Sequence, residues 1–169
     1  MSALAIDAEG RFCGYASLFE RIDSGGDRVA PGAFAKSLAQ RGSDAIRMLF
    51  QHDPKEPVGR WERIAEDSRG LWVEGQLVPT VPRADSLRAL IARRAIDGLS
   101  IGFRTVRASR SGAGVRTLHE IDLWEVSIVT FPMMDGARIA GRPDARTSAA
   151  MTAAIAAMQP AKTFMTDKR

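Results

Sequence analysis

The sequence predicts a β-dominated α+β domain, and three patterns along the chain indicate this class. Apolar and other residues alternate over residues 12–18, which is typical of a half-buried strand. Further runs of strand-forming residues follow, separated by polar turns that contain glycine or proline. Apolar residues at helical spacing are confined to short segments. We therefore expect a sheet to form most of the domain, with a few helices beside it.

The predicted strands follow one another closely. They cover residues 12–18, 45–51, 58–64, 71–78, 99–106 and 116–130. The polar turn at residues 66–70 joins two of them into a predicted hairpin. Asp53 and Pro54 follow His52, and a proline lacks a backbone donor and restricts the residue before it. We therefore expect regular pairing to stop at His52, which places this side chain at a strand end.

Three segments predict helices. Residues 31–38 begin with a proline, which suits a first helical turn. Residues 82–96 carry apolar side chains at helical spacing, with acidic and basic residues placed as the helix dipole favours. Residues 149–158 lie where the composition changes to Ala, Thr, Met and Arg. We expect one domain over residues 1–138, followed by a C-terminal tail over residues 139–169 that is partly helical or mobile.

Length and cysteine content narrow the class of protein. The length of 169 residues predicts one domain that buries about 70% of its unfolded surface, so it needs no disulfide or structural metal for stability. Cys13 is the one cysteine, which excludes an internal disulfide and is consistent with a reducing cytoplasm. Its neighbours are typical of a strand interior, so we expect the thiol to be packed and unreactive. No apolar run approaches the roughly 20 residues of a membrane span, and no signal peptide is recognisable. We expect a soluble protein that stays in the cell and has no membrane partner.

The net charge of +4 is unevenly distributed along the chain. Residues 1–135 carry 18 Lys and Arg against 18 Asp and Glu, whereas residues 136–169 carry 6 against 2. A nucleic-acid-binding domain usually combines a basic face with aromatic side chains that stack on bases, and this tail has Phe164 alone. We therefore do not expect nucleic acid as the main partner.

Ser100 and His52 are the candidate residues for nucleophilic catalysis. Ser100 lies between two glycines at the start of a predicted strand, and His52 is one of two histidines in the chain. A serine nucleophile needs a base within hydrogen-bond reach, and imidazole titrates near neutral pH. Both residues also have structural explanations, since a serine can be a spacer and His52 could cap its turn. A metal site built from His52, Asp53, His119 and Glu120 lacks any close-spaced ligand motif.

The predicted strand at residues 116–130 supplies the candidates for a third catalytic group. Glu125 falls among apolar residues, where a carboxylate needs a partner, and a catalytic imidazole would be one. His119 is the alternative third member, because its position along the strand has the same parity as that of Glu125. Glu120, Asp122, or the absence of a third residue also stay open, as does a simple ion pair of Glu125 with an arginine.

Six segments of the chain resemble the successive blocks of the tailed-phage prohead protease family. They are GYASLF (14–19), DRVAPGAF (27–34), MLFQHD (48–53), GLWVEG (70–75), LSIGF (99–103) and DLWEVSIVTFP (122–132). The blocks occur in the order of that family and extend over about residues 14–137. Six ordered blocks are far more specific than any one of them.

This resemblance implies a fold, a function and a set of partners. The fold would be similar to that of the herpesvirus capsid-maturation protease, assemblin: a closed antiparallel β-barrel surrounded by helices. The function would be that of a serine endopeptidase that trims extensions of scaffold protein or major capsid protein. Cleavage of its own chain is a further activity that the resemblance leaves open. The enzyme would act inside the assembling procapsid, in the host cytoplasm. It would need no cofactor. Whether it forms a homo-oligomer stays open. The alternative is a non-catalytic capsid- or scaffold-associated binding module with the same fold.

The resemblance also implies roles for individual residues. Ser100 corresponds to the nucleophile and His52 to the base. In the herpesvirus relatives a second histidine, in the strand after the serine, is the third member. The comparable strand here offers Glu125, with His119 a few residues earlier. Residues 131–136 form a turn whose amides are candidates for the oxyanion hole.

Overall fold

In a computed structural model of the protein, the described residues are 5–112 and 114–142, together with Ala149, Thr152 and Ala153. The helical elements are α1 (Ala35–Arg41), a short 3-10 turn (Ser43–Ala45) and α2 (Pro82–Ala92). The strands are β1 (Arg11–Leu18), β2 (Asp27–Val29), β3 (Arg47–Phe50), β4 (Asp53–Glu66), β5 (Gly70–Leu77), β6 (Gly98–Arg110), β7 (Arg116–Val129) and β8 (Ile139–Gly141). The predicted tail helix lies largely outside the described residues, of which Ala149, Thr152 and Ala153 are helical.

The eight strands form one mixed sheet. Its order is β2-β7-β3-β4-β5-β1-β8, and β6 pairs with β7. The pairs β2–β7 and β3–β7 are parallel, whereas β6–β7 and the other ladders are antiparallel. Strand β8 adds residues 139–141 to the sheet by pairing with β1.

The prediction of a closed antiparallel barrel surrounded by helices is wrong in its details, because the sheet curls into an open half-barrel. Within the described residues, the start of β6 is joined to the region of β8 by an isolated bridge between Gly98 and Arg138 rather than by a ladder. Strand β8 has three residues, too few to close the barrel along the length of β6. The two α-helices pack locally, α1 against β7 and α2 against β4 and β5, and do not surround the sheet.

The turn after β3 differs from the expectation at Asp53 and Pro54. Strand β4 begins directly at Asp53, which pairs with Phe50, so that Gln51 and His52 form a two-residue turn. Both turn residues have left-handed backbones, with φ of 55° and 59°, as hairpin turns of this length favour. Residues 54–56 then have no partner on β3, because the next pair joins Leu49 to Pro57. Pairing is thus interrupted at the proline, as predicted, but only after the chain has reversed.

The core lies on the inner surface of the curled sheet. Phe12 and Trp61 pack edge to face with ring centroids 5.6 Å apart, and helix α2 adds Leu87 and Ile91, both fully buried. Cys13 belongs to a smaller buried cluster and its thiol donates to the carbonyl oxygen of Gly141 at 3.4 Å. No helix within the described residues has the length and apolar character needed to span a membrane.

Candidate active site

Ser100 lies near the start of β6, where it pairs in register with Ser127 of β7. Side chains directly opposite each other on neighbouring strands lie on the same face of a sheet, so the two hydroxyls share one face. Ser100 is 5% exposed and lines a cavity of about 120 Å³. The cavity is also lined by Ala16 and Val29 and by Met133 and Met134 of the turn at residues 131–136. The turn proposed for the oxyanion amides therefore borders the same cavity as the candidate nucleophile.

His52 is held in its turn by bonds to the end of β7. The amide of Gln51 donates to the carbonyl oxygen of Ile128 at 3.0 Å, and the Gln51 side chain donates to the Thr130 hydroxyl at 2.7 Å. The amide of His52 itself donates to Oγ of Ser127 at 3.0 Å. Because Ser127 is the register partner of Ser100, these contacts bring His52 to the part of the sheet that carries the serine.

Glu125 reaches the His52 ring from β7. Its Oε1 lies 2.5 Å from Nδ1 of His52, and its Oε2 accepts a bond of 2.7 Å from the Ser127 hydroxyl. The bond to Glu125 raises the pKa of His52, burial of the ring opposes this, and the charge of Glu125 raises the pKa further. Since a carboxylate only accepts, Nδ1 carries the proton in this contact, and Nε2 is the basic nitrogen of the neutral ring.

Gly102 provides the space for that carboxylate. It is the register partner of Glu125, and a Cβ at this position would lie 2.0 Å from Oε1 of Glu125. The sequence identified Gly102 only as a residue flanking Ser100. Its second role depends on which residue stands opposite it on β7, which the local motif does not reveal.

The other candidates for the third group lie elsewhere. Nε2 of His119 is 2.7 Å from the Ser109 hydroxyl, and Glu120 and Asp122 form ion pairs of 2.9 and 2.8 Å with a lysine and an arginine of α1. The parity argument for His119 fails because the β6–β7 register shifts three times between Gly102 and Ala108. The structure thus brings Glu125 to the His52 ring and places His119 in a separate contact. Within the described residues, no three His, Cys, Asp or Glu side chains could hold a metal ion.

Solved viral proteases share this fold. The capsid assembly protease gp21 of bacteriophage T4 matches with a TM-score of 0.60 and 15% identity, covering 72% of this chain and 82% of that one. The protease of Kaposi's sarcoma herpesvirus (KSHV), solved with a hexapeptide phosphonate inhibitor, matches with a TM-score of 0.55 and 11% identity, covering 88% and 77%. At such identities the likeness concerns the fold.

The sequence comparison is more specific than the fold. Residues 2–153 match the caudovirus prohead serine protease family, and the chain belongs to this family, which confirms the predicted resemblance. The chain is 38% identical over 140 residues to the prohead protease of Enterobacteria phage HK97. That alignment covers 78% of this chain and 60% of the HK97 protein, so the chain spans about 60% of its relative's length.

Proposed function

We propose that this protein is a serine endopeptidase that cleaves scaffold protein, extensions of the major capsid protein, or both, during phage prohead maturation. The observation that carries the proposal is the 2.5 Å contact between His52 and Glu125. Ser127 bonds to both residues and is the register partner of Ser100, so this contact lies in the part of the sheet that carries Ser100. Membership of the prohead serine protease family supports the serine mechanism. The names of the relatives, a prohead protease and a capsid assembly protease, support capsid-related substrates and action inside the procapsid in the host cytoplasm.

In the proposed mechanism, Nε2 of His52 accepts the proton of Ser100 as Oγ attacks the scissile carbonyl carbon. The same proton then passes to the leaving amine as the peptide C–N bond breaks, and water repeats the sequence on the acyl-enzyme. Glu125 fixes the ring through Nδ1 and stabilises the imidazolium that forms. Amides of the turn at residues 131–136 are our candidates for donors to the developing oxyanion, because this turn borders the Ser100 cavity.

The test is incubation of the full-length protein with immature capsids made of capsid and scaffold protein, with the products identified by mass spectrometry. We expect defined cleavages that Ser100→Ala reduces by at least about 10³-fold, as for other serine nucleophiles. Ser109→Ala is the matched control, because it removes from the same strand a hydroxyl that contacts the other histidine, His119, at 2.7 Å.

The outcomes separate the two functional interpretations. Cleavage by Ser100→Ala at the wild-type rate would reject Ser100 as the nucleophile. A wild-type protein that cosediments with immature capsids and cleaves nothing would instead support the non-catalytic binding module. Thermal unfolding of both variants shows whether any loss of activity reflects loss of the fold.

A further inference from the structure

We propose that Ser127 is a positioning residue that holds the His52 backbone and the Glu125 carboxylate in one arrangement. Its hydroxyl accepts a bond from the His52 amide at 3.0 Å and donates one to Oε2 of Glu125 at 2.7 Å. Ser127 is fully buried. The inference rests on the proposed function, since that is what makes His52 the base and Glu125 its orienting group.

The chemistry of the three groups allows one direction for each bond. An amide N–H only donates and an ionised carboxylate only accepts, whereas a hydroxyl has one proton and two lone pairs. Ser127 therefore accepts from His52 and donates to Glu125. With the bond from Nδ1 of His52 to Oε1 of Glu125, these contacts form a closed cycle through the backbone and the ring of the same histidine. The cycle fixes the ring relative to its own backbone.

The local backbone explains why such a hydroxyl matters. His52 occupies a two-residue turn with a left-handed φ of 59°, and its side chain is 41% exposed, so little packing restrains it. Residues 54–56 after the turn have no partner on β3. The other anchors of the turn act on Gln51, the preceding residue. The contact with Ser127 is thus the one that holds the amide of the histidine itself.

A purely structural serine would satisfy the His52 amide and contribute only to stability. A positioning serine also controls how often the His52–Glu125 bond is made. Because that bond raises the pKa of His52, loss of the positioning hydroxyl lowers this pKa toward its ordinary value. The pKa of His52 therefore distinguishes the two roles.

The experiment compares Ser127→Ala with Ser37→Ala in the full-length protein. Ser37 is a matched control, because it is also buried and its hydroxyl accepts a bond of 2.9 Å from a β7 amide, that of Leu123. We expect Ser127→Ala to lower kcat/KM by about 10- to 100-fold, the scale for a misplaced catalytic group. We also expect it to lower the pKa of His52, followed by NMR titration. His119→Gln assigns the two histidine signals.

The titrations are made in the Ser100→Ala background, so they do not depend on activity. If Ser127→Ala and Ser37→Ala give the same His52 pKa, or if kcat/KM falls while the pKa stays that of the wild type, the positioning role is overturned. If Ser127→Ala does not fold, Ser127→Cys, whose thiol is a weaker donor and acceptor than the hydroxyl, must lower the His52 pKa relative to Ser127 in the same background, and an unchanged pKa overturns the proposal. A wild-type protein that cleaves nothing would reject the proposed function, and the His52 titration would still decide whether Ser127 holds His52 and Glu125 in one arrangement.

Discussion

Replacing Gly102 with alanine tests the geometry of the site with a single methyl group. A Cβ at this position would lie 2.0 Å from Oε1, 2.6 Å from Cδ and 2.8 Å from Cγ of Glu125. Gly102 has no left-handed φ, so alanine fits the backbone there. The three atoms nearest to the new Cβ all belong to Glu125, the side chain that contacts His52.

The size of the effect follows from these distances. Ordinary van der Waals contact begins at 3.4 Å, so the oxygen must retreat by about 1.4 Å, the difference between 3.4 and 2.0 Å. Directed away from His52, a retreat of this size stretches the 2.5 Å bond to about 3.9 Å, beyond hydrogen-bond distance. Misplacement by about 1 Å costs roughly 10²-fold in rate, and loss of a triad carboxylate costs about 10⁴-fold. We therefore expect kcat/KM to fall by about 10²- to 10⁴-fold, with a loss of stability of about 1–3 kcal/mol from overpacking.

The assay is hydrolysis of a peptide that spans a cleavage site mapped on the capsid proteins, with thermal unfolding measured in parallel. Gly112→Ala is the matched control, because it adds the same methyl group at a glycine where no described atom beyond the adjacent residues lies within 4 Å of the new Cβ. The pKa of His52 should fall in Gly102→Ala and stay unchanged in Gly112→Ala. Equal kcat/KM values for the two variants would refute the role assigned to the Glu125 carboxylate.

Three further predictions concern titratable groups. The acid limb of the pH–rate profile should lie above the ordinary histidine pKa of 6.5, because the bond to Glu125 raises the pKa of His52 and only the neutral ring is a base. Glu125→Gln should move this limb to lower pH and reduce the rate. A limb that does not move would contradict the role assigned to Glu125. His119→Ala should leave kcat/KM unchanged, and a large loss would transfer the third role to His119. Burial raises the pKa of Glu66 more than its backbone bonds to Phe34 and Gly32 lower it, and its Oε2 meets no full hydrogen-bond geometry with any described atom. The contribution of Glu66 to stability is therefore present at low pH and is lost as the pH rises through the folded-state pKa. Glu66→Gln keeps an acceptor for the amide of Phe34 and should raise the Tm at pH 7, with a difference that vanishes near pH 4; a difference that is independent of pH would rule out this explanation.

The sequence predicted most strands and both helices of the body, because alternation and helical spacing are local properties. It did not predict whether the sheet closes, since closure depends on how much of β6 finds a partner, and β8 offers three residues. Strict alternation along β7 would put Leu123 and Glu125 on one face. The register sets Leu123 opposite Phe103 and Glu125 opposite Gly102, so Trp124 is an extra residue between them and the two side chains face opposite ways.

The same distinction applies to the site. Ser100, His52 and Glu125 could be proposed because the family resemblance implies a role, as nucleophile, base or orienting group, at each of these three positions. Ser127 and Gly102 could not be given roles in the same way, because each acts on a residue from another strand or across a ladder. A single chain read in order contains no direct record of such pairs.

Strand β7 is the element on which the candidate site depends. It pairs with β6, which carries Ser100, and with β3, whose end leads to His52, and it contributes Glu125 itself. A slip of one residue in either ladder would turn a side chain to the opposite face and separate the three groups. The complete burial of Val126 and Ile128 fixes this register, since a slip of one residue would put Glu125 and Ser127 in their places and bring polar groups into the core. Packing of the apolar residues in β7 and alignment of the catalytic candidates are therefore consequences of the same strand register.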